Sequence, residues 1–202
     1  MTGSGDVRAN RRGARSRQRV LDAAEEVMAR HGYAEATIPR IVAAAGVPLS
    51  SIYHYFGSKE GVLYAVMERG GRRMAEAVPA PPPGAEPLSA LTLFFEQLCA
   101  AIEAHPNFFT LLTATVEMTA SQTARPAQLA RDLRELGLAL IRERLAAALG
   151  MPPDDEWAEE LARFVRAALD GALIAERVDG VPLSLTLRPL PSAVLAVHRD
   201  RG

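Results

Sequence analysis

Six side chains within eleven positions carry the most specific chemistry in this sequence. They are Leu49, Ser51, Tyr53, His54, Tyr55 and the only lysine of the chain, Lys59. Serine and tyrosine hydroxyls donate to phosphate oxygens, and tyrosine or histidine can also reach base edges. An exposed leucine can meet a thymine methyl. Ser58 is read as the cap of a helix that begins at Lys59. Free first-turn amides and the ammonium can then share one phosphate. A lysine at a helix N-terminus opposes the helix dipole, so the position is not one chosen for helix stability alone. Together these types suit a helix laid against double-stranded DNA. The bland alternative is a helical hairpin with partly buried aromatics.

Three elements must position that set. In a first helix from Arg15, the apolar residues Val20, Ala23, Ala24, Val27 and Met28 recur at helical spacing, and Gly32 stops it. A second spans "TIPRIVAAA": Thr37 caps it, Pro39 is tolerated in the first turn, and Gly46 supplies a left-handed close. Pro48 opens a third helix running to about Tyr55, with Ile52 and Phe56 on its inner face. Two short helices joined by a tight glycine turn have helix-turn-helix dimensions, in which the second helix enters the major groove.

Beyond these, the periodicity stays helical. The segment "KEGVLYAVMERGGRRMAEAV" follows Ser58, with Gly70-Gly71 as a candidate bend. Five prolines within residues 79–87 break the pattern. Further helices are expected near 88–104, 106–120, 126–149 and 154–178, with Asp154 or Asp155 as a cap. An irregular stretch "DGVPLSLTLRPLP" follows, then a short helix over "SAVLAVHR". The chain thus divides into a disordered basic arm (1–14), a helix-turn-helix domain (15–60), a connecting helix (61–78), a Pro-rich connection (79–87) and a helical domain (88–202). The expected fold class is all-α.

Charge is uneven along this frame. Residues 1–78 hold twelve Arg or Lys against eight Asp or Glu, whereas 79–202 hold eleven against sixteen. A basic N-terminal portion points to a polyanion partner at that end. Arg15 and Arg17 are candidate contacts along phosphates or in a neighbouring minor groove; the alternative is a solubilising tail. Cys99, the single cysteine, cannot form an intramolecular disulfide and reads as a small buried hydrophobe. No secretory signal and no apolar run of membrane length is present, so a soluble, cytoplasmic protein is expected. The four histidines (31, 54, 105 and 198) have no metal-ligand spacing, and no HExxH, phosphate loop or nucleophile elbow occurs. No metal, no cofactor and no enzyme activity are expected. A helical enzyme and a protein-binding adaptor remain the rival classes.

The stretch "RVLDAAEEVMARHGYAEATIPRIVAAAGVPLSSIYHYFGSKEGVLYAV" resembles the N-terminal domain of TetR-family transcriptional regulators. The helix-one "AA", "HGY", Thr37, "AGV", "IYHYF" and "SKE" all fall in register. The resemblance implies phosphate contacts by Thr37, Ser51, Tyr55 and Lys59. It turns Leu49, Ser50, Tyr53 and His54 to the bases, with Tyr53 alternatively gripping backbone, and makes Ile41, Ile52 and Phe56 core. Pro48, Val42 and Ser50 depart from the usual pattern. The resemblance further implies a C-terminal domain that binds a small-molecule effector and forms a homodimer. By position and pattern only, candidate pocket residues are Phe94, Phe95, Leu98, Phe108, Phe109, Leu112 and Met118, with hydrophobic core as the alternative. Candidate dimer residues are Ala168, Gly171, Ala172, Ala175, Val194 and Val197, with packing inside one subunit as the alternative. The function implied is regulation of transcription, by repression with release from a palindromic operator, or by activation.

Overall fold

In a computed structural model, which describes residues 4–118, 124–152 and 154–201, all regular structure among the described residues is helical. Ten helices follow in order: α1 (Ser4–Glu35), α2 (Ile38–Ala45), α3 (Leu49–Phe56), α4 (Lys59–Ala77) and α5 (Pro87–Ala104), then α6 (Pro106–Met118), α7 (Ala124–Leu149), α8 (Glu156–Asp179), α9 (Leu183–Leu187) and α10 (Leu190–Arg199). They form two compact units. The first comprises residues 1–70 and 105–133, and the second residues 71–104 and 134–202.

In the first unit, α1 packs on α2, α3 and α6. Val20, Ala24, Met28, Ile41, Ile52, Val62, Val66 and Met67 are fully buried there. One buried guanidinium ties α4 to α1: Arg69 pairs with Asp22 and Glu25, each at 2.5 Å. The α4 helix is not interrupted at Gly70-Gly71. Gly70 instead makes room for Phe108, because a Cβ there would lie 2.0 Å from the ring. The helical assignment runs through the glycine pair without a break, and the first glycine serves a close approach.

The arm expected to be disordered over 1–14 differs as well. Helix α1 reaches back to Ser4, and residues 1–3 lie outside those described. Arginine and alanine are good helix formers, so a stretch without apolar periodicity can still extend a helix that the core has nucleated. At the other end Gly32, with φ of 76°, breaks the α1 geometry as expected.

In the second unit, α5 contributes Leu91, Phe94, Phe95, Leu98 and Ile102 to the core, and α8 contributes Leu161, Val165 and Leu169. Helix α9 packs on α5 and α8, and α10 packs on the same pair. Residues 79–86 carry no helix and are mostly exposed. Glu86 then starts α5 by accepting from the Leu88 and Ser89 amides, bonds that hold its carboxyl below the usual carboxylate range. Buried Arg144 donates to Val78 O at 2.8 Å, occupying a carbonyl just past the C-terminus of α4. Asp155 caps α8 through the Trp157 amide. The stretch expected to be irregular contains the five-residue α9, whose Leu183 and Leu187 are buried between flanking prolines.

Candidate nucleic-acid interface

Local chemistry builds the α2–α3 pair. Thr37, in an extended conformation, accepts from the Arg40 amide at 3.4 Å and starts α2. Gly46 ends it in the left-handed region (φ 60°), donating to Val42 O. Val47 is buried, and Pro48 in extended geometry precedes α3 as its N-cap, with no side-chain bond. Gly57, with φ of 73°, closes α3, and Ser58 Oγ accepts from the Gly61 amide to start α4. Gly61 must lack a side chain, since a Cβ would fall 1.9 Å from Phe56 O.

Ile52 anchors α3 with no exposed surface, and its outer face is open. Leu49 is 48% exposed and Tyr53 53% exposed, while Ser50 and His54 are also exposed. Ser51 and Tyr55 are half-buried, and Thr37 is exposed at the start of α2. The His54 and Tyr55 rings meet edge to face at 5.0 Å. Leu49, Ser50, Tyr53 and His54 thus share one helix and one accessible side, and none of them is spent on the core.

Two of the predicted cationic contacts also have partners inside the protein. Lys59 Nζ donates to Ala34 O at 2.9 Å and sits 4.4 Å from the Tyr33 ring centroid. Burial lowers its pKa, opposed by Glu60 and Glu35, which raise it. An ammonium has three donors, so this bond leaves capacity for a phosphate while giving Lys59 a structural task. Arg17 places its guanidinium 5.5 Å from the Phe56 ring centroid. Phe56 is consequently half-buried beneath a cation rather than enclosed in the core. Arg15 is exposed. Arg40 is a cation that the sequence pattern did not single out: it is exposed in the first turn of α2 and donates to Glu35 O at 3.1 Å. A signal for it exists, because it opposes the α2 dipole as Lys59 opposes that of α4.

Tyr33 completes this corner. Its buried hydroxyl has no hydrogen-bond partner of good geometry among the described residues. Burial first, and the neighbouring Glu60 carboxylate second, push its pKa up to about 12.

The candidate pocket set is not brought together in one unit. Phe94, Phe95 and Leu98 are buried in the second unit, whereas Phe108, Phe109 and Leu112 belong to the first, with both phenylalanines buried. The Met118 side chain lies outside the described residues. Within the second unit, a cleft of about 300 Å³ is lined instead by Arg134, Glu135, Leu138, Arg163, Arg166, Ala167 and Asp170. Asp170 accepts from both Arg134 and Arg166 there, at 3.1 and 3.0 Å. Cys99 is buried, and burial with nearby Glu103 and Glu176 pushes its thiol pKa up, away from reactivity.

Of the candidate dimer residues, Ala172 and Val194 are buried within the chain itself, at 1% and 0% exposure. They serve the subunit core and are not available to a partner. Gly171 and Val197 are exposed, and Ala168 and Ala175 are half-buried. The apolar surface left open on α8 is larger than the small residues suggested: Phe164, Ile174 and Val178 are all exposed. Among the described residues no cluster of His, Cys, Asp or Glu could hold a metal ion, and no helix is long and apolar enough to cross a membrane.

An all-helical chain that presents a capped helix, a left-handed glycine turn and a second helix with an open polar-aromatic face has the architecture of a helix-turn-helix DNA-binding protein. The family model for bacterial regulatory proteins of the tetR family matches residues 20–66. The transcriptional repressor AcnR of Corynebacterium glutamicum is 41% identical over 63 residues, covering 31% of this chain and 34% of that protein. The transcriptional regulator BetI of Agrobacterium fabrum is 29% identical over 179 residues, 86% of this chain and 82% of its own. A TetR-like transcriptional regulator from Rhodococcus sp. RHA1 superposes with a TM-score of 0.66 at 25% identity, covering 89% of this chain and 93% of that one. Residues 20–66 thus carry the tetR-family domain, and the chain is similar over most of its length to regulators of that family. Its match to the repressor from C. glutamicum spans about a third of that protein's length.

Proposed function

We propose that the protein is a homodimeric DNA-binding transcriptional regulator, a repressor released from a palindromic operator by a small apolar effector. The observation that carries this reading is the outer face of α3. Leu49, Ser50, Tyr53 and His54 stand exposed on a helix anchored by fully buried Ile52. A major groove offers such a leucine and tyrosine, side by side with Ser50 and His54, methyl groups and base edges to meet. Thr37, Ser51, Tyr55 and Lys59 hold the backbone, with Arg40 and Arg15 adding positive charge. The names of relatives such as the C. glutamicum repressor favour repression over activation.

Two copies are needed to read two successive grooves. Phe164, Gly171, Ile174 and Val178 follow one another at helical spacing along α8, and Val197 on α10 is likewise open. An apolar stripe of this kind suits a second copy of the same surface. The effector site belongs to the C-terminal helices. A ligand favouring a dimer with wrongly separated recognition helices releases DNA by its difference in affinity between the two states.

Selection from random duplex DNA tests this. The dimer should recover an inverted repeat with half-sites about 10 base pairs apart centre to centre, or a multiple of that. His54→Ala and Leu49→Ala should relax preference at particular positions, whereas Tyr55→Phe should weaken binding to every duplex alike. Recovery of asymmetric sites bound by a monomer would remove the dimer, and no enriched site at all would remove DNA reading.

A further inference from the structure

We propose that the cleft between α7 and α8 is a carboxylate-binding site, taking a small organic monoanion with an apolar body. This gives a chemical class to the effector of the reading above, and rests on that reading only for its regulatory role. Arg134 on α7 meets Asp170 on α8 at 3.1 Å. About two turns further along α7, Arg142 meets Glu159 at 3.4 Å. The two helices therefore run antiparallel here, with long side chains bridging the space between them.

Carboxylates are scarce along this groove. Asp170 accepts from both Arg134 and Arg166, and Glu159 pairs with both Arg142 and Arg163. Four guanidiniums thus share two carboxylates, whereas a ladder built for stability alone would match them one to one. Among the described residues, Arg166 donates to Asp170 alone, through Nε. Its terminal nitrogens are the fork that holds a carboxylate at two points. Arg142 Nε is buried with no partner among the described residues, which leaves another donor over. Arg166 is also fixed in place. Its side chain is 12% exposed, and it lies across Gly137, where a Cβ would come 2.8 Å from Nη1. Glycine weakens a helix interior, and at this position it gives the guanidinium its room.

The charge balance selects the ligand. Arg134, Arg163 and Arg166 line the cleft against Glu135 and Asp170, so one positive charge is left over. A carboxylate supplies one negative charge, while a phosphate monoester brings nearly two and would overshoot. Leu138 and Ala167 add apolar surface to the same cleft, enough to cover a short aliphatic chain or a single ring. Its volume of about 300 Å³ stands at the lower end for small-molecule sites. Helix α8 carries this cleft on one side and the exposed Phe164, Ile174 and Val178 on the adjoining side. A bound anion and a second copy of the chain would therefore act on one helix.

The test titrates the full chain with benzoate and with benzamide, its neutral isostere, at one ionic strength and without DNA. Binding is read from broadening of the ligand's proton NMR lines. Benzoate should bind and benzamide should not. Arg166→Gln should weaken benzoate binding by about tenfold or more, the worth of a charge-assisted fork. Gly137→Ala keeps every charge but pushes the Arg166 guanidinium aside, and should weaken binding as well. Glu135→Gln removes a repelling charge from an exposed side chain and should tighten binding by about twofold. A merely structural ladder would not give these opposite signs. The proposal is overturned if benzoate does not bind, if benzamide binds equally, or if inorganic phosphate displaces benzoate at equal concentration. It is also overturned if folded Arg166→Gln binds like wild type. Should Arg166→Gln fail to fold, Glu135→Gln decides, since unchanged or weaker binding there overturns the proposal. None of these outcomes touches the α3 reading, which selection from duplex DNA tests separately. Benzoate that binds without altering operator affinity keeps the site and removes its effector role.

Discussion

The two neighbouring glycines of α4 should respond to alanine in opposite directions. Alanine is favoured over glycine in a helix interior by about 0.8–1.0 kcal/mol. At Gly71 nothing lies within 4 Å of the added Cβ, so Gly71→Ala should gain most of that stabilisation. At Gly70 the Cβ would stand 2.0, 2.3 and 2.7 Å from three atoms of the Phe108 ring. Carbon atoms approach comfortably at about 3.5–4.0 Å, so the ring must shift by more than about 1 Å. Phe108 is only 5% exposed, leaving it little room to move. Overpacking of this kind costs about 1–3 kcal/mol, which offsets or exceeds the propensity gain. The two variants should therefore differ by about 1–3 kcal/mol, with Gly70→Ala the less stable. Urea unfolding followed by circular dichroism, at one protein concentration throughout, measures the difference. A cycle with Phe108→Ala isolates its cause. That truncation should itself be destabilising by about 3–5 kcal/mol, but in its background Gly70→Ala should become as favourable as Gly71→Ala. Equal stability of the two single variants, with no change in the truncated background, would refute the packing argument.

Three further outcomes follow from the same structure. Thr37→Ala removes the α2 cap and should cost about 0.5–2 kcal/mol, measured by thermal unfolding; Thr37→Asp should restore stability yet weaken DNA binding by placing an anion near phosphate. Tyr33 has its folded pKa raised to about 12 from 10.0, so the folded state holds its proton more tightly. Its stabilisation is complete below pH 10 and is lost as pH rises toward 12, and a pH titration of unfolding should show that loss in wild type but not in Tyr33→Phe. Arg69→Met takes away the guanidinium that faces the 11% exposed Glu25 side chain and should cost about 3–5 kcal/mol at neutral pH, read by urea unfolding.

Legibility tracks the range of the interactions involved. The α2–α3 pair can be read because everything that shapes it is local: the Thr37 cap, the Gly46 φ, Pro48 before α3, and apolar Ile41 and Ile52 at helical spacing. The α1 extension escapes such a reading because its composition lacks an apolar stripe, and a stripe is what marks a packed helix. Its helicity comes from propagation out of a packed segment, which a local window does not contain. Gly70 reads as a bend because its reason, the Phe108 ring, comes from a distant helix. The same limit divides the aromatic set. Phe94 and Phe95 look equivalent to Phe108 and Phe109 in the sequence, yet the pairs serve different units. On α8, residue size suggests Ala172 as partner-facing, while burial by α9, α10 and the rest of the unit leaves Ile174 and Val178 outside instead. Size can be read from a sequence; which side is covered depends on the other helices.

The interface residues differ in how far stability and recognition can be separated. Leu49, Ser50, Tyr53 and His54 are exposed and none is part of the core, His54 touching only the neighbouring Tyr55 ring, so a substitution there should report mainly on the proposed DNA contact. Lys59 and Arg17 are different, since each is engaged with another element: Lys59 with the Ala34 carbonyl and Tyr33 ring, Arg17 with Phe56. Losing Lys59 unties the end of α1 from the start of α4 as well as removing a cation. A weakened complex in a Lys59 variant therefore has two sources, a phosphate left without its cation and a displaced α3. The salt slope separates them, because counterion release counts charges at phosphates and is blind to a helix that has merely shifted. This coupling also gives a reason for a lysine at a position where the α4 dipole opposes it. The Ala34 carbonyl and the Tyr33 ring compensate the ammonium when DNA is absent. An ammonium has three donors, so the bond to Ala34 O still leaves donors for the phosphate contact proposed above.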